Sequence, residues 1–109
     1  YFQKCGYYPG TAQAGSSCAA FDAAADPGYA EMAAALKGSN IGVPVIPDDP
    51  IKTREYFYGV DASNGASYVL GAELEGANAI LDNDVDGSVF GVNCNGPVAG
   101  ADNVYCVQL

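Results

Sequence analysis

The clearest periodic pattern in the chain lies near residue 30, where apolar side chains recur with helical spacing. They fall at i, i+3, i+4 and i+7, namely Tyr29, Met32, Ala33 and Leu36. Asp26-Pro27 before this run is typical of a helix start, because aspartate can cap free N–H groups and proline suits the first helical position. Gly38 is well placed to end the helix. The pattern predicts a short amphipathic helix whose apolar stripe lies on a core.

The second half of the chain contains short apolar and aromatic runs, separated by turn residues, that are typical of strands. Glu55–Val60 and Ser67–Ala72 flank Asn64-Gly65, a pair that favours a hairpin turn, so we expect two antiparallel strands there. Ser88–Val92 and Val104–Leu109 are further strand candidates. An isolated hairpin is marginal in water, so the sheet needs these strands and the helical stripe to cover one face.

The remaining stretches have compositions that favour irregular chain. Residues 1–8 are rich in aromatic side chains and end at Pro9-Gly10, which stops a preceding helix or extended segment. Small residues over 11–25 indicate a loop, and three prolines in Gly42–Pro50 argue against a central strand. The sequence therefore predicts one α+β domain over residues 1–109, with an antiparallel sheet of three or four strands late in the chain.

Four cysteines, Cys5, Cys18, Cys94 and Cys106, form one close pair near each end of a chain that has no histidine. Zinc sites usually use CxxC spacing or histidine, so this pattern favours disulfides and an oxidising compartment outside the cytoplasm. Of the three possible pairings we favour Cys5–Cys18 with Cys94–Cys106, because each closes a short loop beside apolar or aromatic residues. The alternative is four reduced, buried thiols.

Charge is unevenly distributed along the chain. The net charge is −9, all four basic residues precede Glu55, and the eight acids from Glu55 onward have no base among them. Such a surface repels phosphate backbones, so we expect no nucleic-acid partner. No apolar run approaches the roughly 20 residues of a membrane helix, and the first residues lack a signal-peptide pattern. We therefore expect the mature or truncated remainder of a longer exported product.

The acidic turn, residues 82–88, is the sharpest candidate for chemistry. Its oxygen ligands would come from Asp82, Asp84, Asp86 and the carbonyl of Ser88. Carboxylates at alternate positions followed by a glycine resemble the first half of an EF-hand loop, which binds calcium. The turn therefore predicts a calcium site, and a solvated acidic turn without metal is the alternative.

The second half of the turn departs from the EF-hand pattern. Asn93 occupies the twelfth position, where an EF-hand has a bidentate glutamate, and no flanking helices are predicted. A calcium loop here would need completion by Glu73, Glu75 or Asp102. Such incomplete ligation predicts weak binding, with a dissociation constant on the order of 10⁻⁴ to 10⁻³ M.

The sequence does not favour catalysis. The chain has no histidine, and Ser16-Ser17 lies in an Ala-Gly-Ser-Ser-Cys context that is not a nucleophile elbow. Glu73 and Glu75 alternate along a predicted strand and so share one face, but two acids on a solvated edge are far commoner than a catalytic pair. We therefore predict a protein that is not an enzyme.

Three segments, in the order 1–9, 47–58 and 68–107, contain motifs that together resemble the globular headgroup of type IV pilins and of the related pseudopilins of type II secretion systems. Tyr1-Phe2 followed by Gly6-Tyr7-Tyr8-Pro9 is similar to the tyrosine and Gly-x-Tyr-Pro pattern that closes the long N-terminal helix of that family. Pro47-Asp48-Asp49-Pro50 before Tyr56-Phe57-Tyr58 is similar to the Asp-Pro turn that precedes the first headgroup strand.

The third segment covers much of the C-terminal half. Tyr68-Val69-Leu70-Gly71-Ala72-Glu73-Leu74-Glu75, then Asp86-Gly87, then Tyr105-Cys106-Val107 is similar to the second strand and the cysteine-bearing end of many such subunits. The resemblance spans almost the whole chain. It implies a pilin-like fold in which a short N-terminal helical remnant and one amphipathic helix pack on the sheet.

The resemblance also implies a structural role. Family members carry an apolar N-terminal helix that sits in the inner membrane before assembly and then packs into the filament core. This implies as partners copies of the chain, related pilin subunits and the inner-membrane assembly machinery, with a location in a cell-surface, extracellular or periplasmic filament. Some pseudopilins carry calcium near the C-terminus, which favours the calcium interpretation. The alternative function is a secreted, calcium-dependent binding or adhesion module that does not polymerise.

Overall fold

The fold is built on a sheet of three antiparallel strands, with a two-stranded hairpin packed against one of its faces. The computed structural model describes residues 1–13, 18–22, 27–76, 78–96 and 102–109. Its elements are α1 (Phe2–Cys5), a 3₁₀ turn (Thr11–Gln13), α2 (Gly28–Gly38), β1 (Phe57–Val60), β2 (Tyr68–Glu73), a 3₁₀ turn (Ala79–Asn83), β3 (Ser88–Val89), β4 (Val92–Asn93) and β5 (Val104–Gln108). The predicted α+β class is confirmed.

Helix α2 confirms the predicted amphipathic helix. Pro27 occupies the position just before its first residue, and Asp26, the predicted cap, lies outside the described residues. The helix ends at the predicted glycine, and the Ser39 hydroxyl donates to the Leu36 carbonyl at 2.8 Å. This bond satisfies one of the carbonyls that the end of a helix leaves free.

The apolar stripe of α2 packs on the sheet as the spacing predicts. Met32 and Ala33 are buried, and Met32 contacts Tyr58 and Val60 of β1. Tyr29, at the start of the stripe, is half-buried against the same cluster. The helix therefore covers the face of the sheet that carries the even-numbered side chains of β1.

The hairpin of β1 and β2 confirms the two predicted antiparallel strands, and its connection contains the predicted turn residues. Phe57 pairs with Gly71 and Val60 pairs with Tyr68, which leaves residues 61–67 as the loop. Within this loop the Gly65 N–H donates to the Asp61 carbonyl at 2.8 Å, and Gly65 has a left-handed φ of 66°. The predicted turn glycine therefore helps to close this loop.

The prediction of a single strand over Ser88–Val92 is wrong. The chain reverses at Phe90 and Gly91, whose φ angles are 47° and 84°, so β3 and β4 form a short hairpin of their own. Two successive residues with positive φ are typical of a tight hairpin turn. The apolar character of this run reflects burial of the hairpin against the sheet, not membership of the sheet.

The core consists of two clusters on opposite faces of the sheet. The first contains the buried residues Val69, Val92, Cys94, Val104 and Cys106. The second contains the buried residues Met32, Tyr58 and Val60, with tyrosines among the half-buried residues around them. Side chains alternate between faces along a strand, so β2 contributes to both clusters. The helix covers one face, and the β3–β4 hairpin covers the other.

Both predicted disulfides are confirmed. Cys5 bonds to Cys18 and Cys94 bonds to Cys106, with sequence separations of 13 and 12 residues. Disulfides persist in oxidising environments, which indicates a compartment outside the cytoplasm. Within the described ranges, no helix is long and apolar enough to span a bilayer.

We predict that the two disulfides contribute unequally to stability. The two disulfides close loops of similar length, so each should raise the free energy of unfolding by about 3 kcal/mol through loop-closure entropy. The Cys94–Cys106 pair is also buried in the first core cluster, whereas Cys18 is exposed. Replacing Cys94 and Cys106 by alanine should therefore lower the free energy of unfolding more than the same change at Cys5 and Cys18. Denaturant unfolding of both double variants measures this, and equal losses would contradict it.

We also predict a loss of stability at alkaline pH through Tyr58. Its hydroxyl donates to the Pro9 carbonyl at 2.8 Å, and burial, with smaller effects from neighbouring tyrosines, raises the pKa of Tyr58 well above its ordinary value of about 10. Above that ordinary value the unfolded chain loses the proton and the folded chain keeps it. The free energy of unfolding should therefore fall as the pH rises past about 10.

Tyr58→Phe tests this contribution. The variant loses a hydrogen bond, so it should be about 1 kcal/mol less stable at neutral pH, but its stability should decline less steeply between about pH 9 and 11. Denaturant unfolding across this range, with Tyr56→Phe as the control, measures the slope. Parallel curves for Tyr58→Phe and the unmodified chain would show that Tyr58 is not responsible.

Candidate functional site

The acidic turn begins within the second 3₁₀ turn and ends at the first residue of β3. The Asn78 side-chain oxygen accepts from the Ile80 N–H at 3.1 Å and so caps the 3₁₀ turn. At the other end Gly87 has a φ of 82°, its N–H donates to the Asn95 side chain, and its carbonyl accepts from the Cys94 N–H at 2.8 Å. Both ends of the turn are therefore anchored by hydrogen bonds.

Three carboxylates converge beside this turn. One oxygen each of Asp84, Asp86 and Asp102 lies within 4.8 Å of the others, and we call these residues the aspartate group. Asp84 and Asp102 are half-buried, and Asp86 is exposed. Three like charges at this separation repel one another, so a bound cation would relieve a real electrostatic cost.

The aspartate group overlaps the predicted calcium ligands only in part. Asp84 and Asp86 belong to it, as the sequence pattern suggests, and Asp102 joins them from the segment before β5. Asp82 is exposed on the 3₁₀ turn and lies outside the group. Ser88 is exposed and pairs with Asn93 across the β3–β4 hairpin.

Asp84 also has a structural role. Its Oδ2 accepts the Cys106 N–H at 2.7 Å. Tyr68 and Leu109 exchange backbone hydrogen bonds, so odd-numbered residues of this end of the chain face β2 and the Cys106 N–H points away from it. Asp84 therefore caps an N–H on the free edge of the sheet, where an unpaired group would otherwise be open to another strand.

Two oxygens of the aspartate group are buried without a partner. Oδ1 of Asp84 and Oδ1 of Asp102 make no hydrogen bond among the described residues. Buried carboxylate oxygens are normally hydrogen-bonded or bound to a cation. The donor set, made of hard oxygens only, fits calcium or magnesium rather than a thiophilic metal.

The other acids weighed as additional ligands are placed differently. Glu73 Oε1 lies 3.8 Å from Arg54 Nε and 3.4 Å from the Asn103 side-chain nitrogen, so it is engaged on the sheet. Glu75 is exposed and is not part of the aspartate group. Asn93, at the twelfth position, uses its side chain within its own turn, where it donates to the Gly96 carbonyl at 2.8 Å. Calcium bound to the three aspartates would complete its six to eight ligands with carbonyls or water.

A second feature is an apolar groove of about 360 Å³ beside the first residue of the chain. We call it the N-terminal groove, and its lining includes Tyr1, Phe2, Tyr8, Met32, Leu36 and Leu70. Burial is the main cause of a raised pKa at Tyr1, and the Tyr1 hydroxyl is buried without a partner among the described residues. Phe2 remains 38% exposed. The groove is thus an open, aromatic surface between α1, α2 and the sheet.

Several contacts hold the short helix α1 at the edge of this groove. The Cys5–Cys18 disulfide anchors its end, and the Lys4 ammonium donates to the Ser39 carbonyl at 2.6 Å. The rings of Phe2 and Tyr8 lie 4.8 Å apart. Four residues cannot form a stable helix alone, so these contacts fix the orientation of α1 on the rest of the fold.

Sequence reasoning identified the acidic turn but not its structural use. The bond between Asp84 and Cys106 joins residues 22 positions apart, and no local pattern signals it. Asp102 stood among three possible additional ligands, and only the fold selects it. No known protein family, curated protein or solved structure matches this chain.

Proposed function

We propose that the chain is the headgroup of a filament subunit similar to type IV pilins and type II secretion pseudopilins. In this role an apolar helix preceding Tyr1 anchors the precursor in the inner membrane and later packs into the filament core. The headgroups would face the periplasm or the outside of the cell. The partners would be copies of the chain, related subunits and the assembly machinery.

The N-terminal groove is the observation that carries this proposal. Helix α1 is held against the domain by a disulfide and by aromatic contacts, and it borders the N-terminal groove. An open groove lined by apolar and aromatic side chains is a surface on which another segment or subunit could pack. A helix that continues α1 toward the N-terminus would extend from this surface.

The two disulfides are consistent with a structural role. Each end of the chain carries one disulfide, and the second lies in the core beneath the β3–β4 hairpin. A subunit exposed on a filament benefits from such cross-links, because they destabilise the unfolded chain. The residue content does not favour catalysis, since the chain has no histidine for acid–base chemistry.

The filament proposal can be tested in the native host. We expect the gene to encode, ahead of Tyr1, a short basic leader followed by glycine and an apolar helix that begins Phe-Thr-Leu-Ile-Glu or similar. Antibodies raised against the 109-residue chain should then label surface filaments in electron micrographs. An ordinary cleaved signal peptide, with label only on secreted monomer, would support the adhesion module instead.

A matched pair of variants links the groove to assembly. Phe2→Ser changes a half-exposed groove residue, and Val45→Ser changes a residue that is 74% exposed and lies outside the groove. Both should leave the headgroup folded, and only the first should reduce the number of filaments per cell. Equal filament counts for the two variants would show that the N-terminal groove is not needed for filament assembly.

We further propose that the aspartate group binds calcium. The two buried oxygens without partners support this, because a cation would satisfy both of them and offset the repulsion among three carboxylates. Calcium is compatible with the filament role and with the alternative adhesion module. In either role it would order the acidic turn against β5.

Thermal unfolding with calcium or with a chelator tests this site. At a calcium concentration about ten times the dissociation constant, binding should stabilise by about 1.4 kcal/mol and raise the melting temperature by several degrees. Asp86→Asn should abolish this shift, because it removes a ligand that is exposed and has no structural bond among the described residues.

Asp82→Asn is the matched control for this experiment. It makes the same change of charge in the same turn, at a residue outside the aspartate group. It should leave most of the calcium-dependent shift intact. The calcium proposal fails if the chelator does not change the melting temperature, or if both variants lose the shift equally.

A further inference from the structure

A second cavity, of about 360 Å³, lies between α2 and the segment before β1. Its lining shares no residue with the N-terminal groove and includes no member of the aspartate group. Its volume falls within the roughly 300–1,000 Å³ that is typical of small-molecule sites. We call it the mixed-charge cavity, because its exposed charged groups are two cations and two anions, namely Lys37, Lys52, Asp48 and Glu55.

These four exposed groups are available to a ligand. None of them forms an ion pair with any residue that the structure describes. The other two charged residues of the lining are engaged in the fold. Arg54 Nε lies 3.8 Å from a Glu73 oxygen, and the buried Asp49 carboxylate accepts the Ile51 N–H at 2.8 Å. The cavity therefore presents ammonium donors and carboxylate acceptors side by side, with no net charge.

Two tyrosine rings form an aromatic part of the same lining. The rings of Tyr29 and Tyr56 meet edge to face with centroids 5.3 Å apart, and both residues are half-buried. The Tyr29 hydroxyl donates to the Pro47 carbonyl at 2.5 Å. Burial is the main cause of a raised pKa at Tyr29, and the charge of Asp48 adds to it, so the hydroxyl keeps the proton of this bond. The aromatic wall is therefore held in place before a ligand arrives.

The balance of charges restricts the chemical class of ligand. An anion would meet Asp48 and Glu55, and the net charge of −9 also repels it. A simple cation would meet Lys37 and Lys52. A wholly apolar ligand would remove water from these charged groups without replacing its hydrogen bonds. A neutral ligand rich in hydroxyl groups avoids all three costs, because each hydroxyl can donate to a carboxylate and accept from an ammonium.

Sugars combine such hydroxyl groups with an apolar face. The ring C–H groups of a pyranose pack on aromatic rings, because the face of an aromatic ring is electron-rich and these hydrogens carry a small positive charge. We propose that the mixed-charge cavity binds a neutral saccharide, packed on the Tyr29–Tyr56 pair, with its hydroxyls bonded to the surrounding carboxylates and ammonium groups. This site goes beyond the filament proposal, since a single headgroup contains all of it.

Binding at this site should be weak. The lysine side chains at the cavity are exposed and lose rotational freedom when they bind a ligand, and an open site leaves part of the sugar in water. We expect a dissociation constant on the order of 1 mM for a monosaccharide. It should change little with salt, because the ligand carries no charge.

Titration of the ¹⁵N-labelled 109-residue chain with neutral sugars tests the site. The probes are the methyl glycosides of glucose, galactose, mannose and N-acetylglucosamine, with one disaccharide of each. At least one probe should cause saturable changes in amide chemical shift that are centred on α2 and residues 48–56. The proposal is wrong if no probe causes saturable changes, or if the changes are centred on the N-terminal groove or the acidic turn.

Two variants of Tyr56 measure the contribution of the aromatic wall. Tyr56→Leu removes the ring, so it should raise the dissociation constant by about fivefold, as expected for the loss of one aromatic contact. Tyr56→Phe keeps the ring and should change the dissociation constant by less than about twofold. Thermal unfolding confirms that both variants are folded at the temperature of the titration. Equal affinities for the two variants would contradict packing of the sugar on this ring.

A matched pair of glutamate variants tests the carboxylate acceptors. Glu55→Gln replaces a charged acceptor of the lining by a neutral one, and should weaken binding by about two- to fivefold. Glu31→Gln makes the same change at an exposed residue of α2 outside the lining, and should leave the affinity unchanged. Both residues are exposed, so neither change should unfold the domain. Equal effects of the two changes would show that overall charge, not the cavity, controls binding.

Chelator and a zwitterionic probe separate this site from the alternatives. Sugar binding should persist in chelator, because the cavity contains no member of the aspartate group. Loss of binding in chelator would assign the sugar to the calcium site and overturn the inference. Glycylglycine carries both charges and no hydroxyl. Salt-dependent binding of glycylglycine, without binding of any sugar, would identify a peptide site instead. These measurements use isolated chain, so the filament proposal stands or fails separately on cells.

Discussion

The placement of the acidic turn and of the β3–β4 hairpin depends on one junction, where the Cys94–Cys106 disulfide and the hydrogen bond from the Cys106 N–H to Asp84 meet. The disulfide holds the β3–β4 hairpin to β5 through the core. The carboxylate holds the acidic turn to the outer edge of the same strand. Both contacts act on one residue, so the position of the turn follows from the position of β5.

This junction matters because neither core cluster is large. One cluster lies under α2 and the other lies under the β3–β4 hairpin, with the sheet between them. A small domain buries a limited fraction of its surface, and splitting the core reduces the contacts that each cluster can make. The hairpin has strands of only two residues, so backbone pairing alone cannot hold it in place. The disulfide and the charge-assisted hydrogen bond to Asp84 therefore add stability that the packing of these small clusters does not provide.

The sequence predicted the elements that are specified locally. Helical spacing identified α2, strand composition identified β1, β2 and β5, and the cysteine spacing identified both disulfides. It failed where the outcome depends on distant residues. The run over Ser88–Val92 has the composition of a strand, and only the turn at Phe90-Gly91 divides it. Likewise, the approach of Asp102 to Asp84 depends on where β5 lies, which no local pattern encodes.

Asp84 shows why the acidic turn is more than a solvated loop. Its Oδ2 accepts an N–H at the edge of the sheet, and its buried Oδ1 has no hydrogen-bond partner among the described residues. One of its oxygens also lies within 4.8 Å of an oxygen of each of the other two carboxylates. An asparagine could cap the same N–H with one neutral oxygen and without repulsion from Asp86 and Asp102. A carboxylate makes the stronger, charge-assisted hydrogen bond to this N–H, but it also meets the repulsion of the two neighbouring carboxylates, which a bound cation would offset. Any cation bound there is therefore coupled through Asp84 to β5, and through the disulfide to the core.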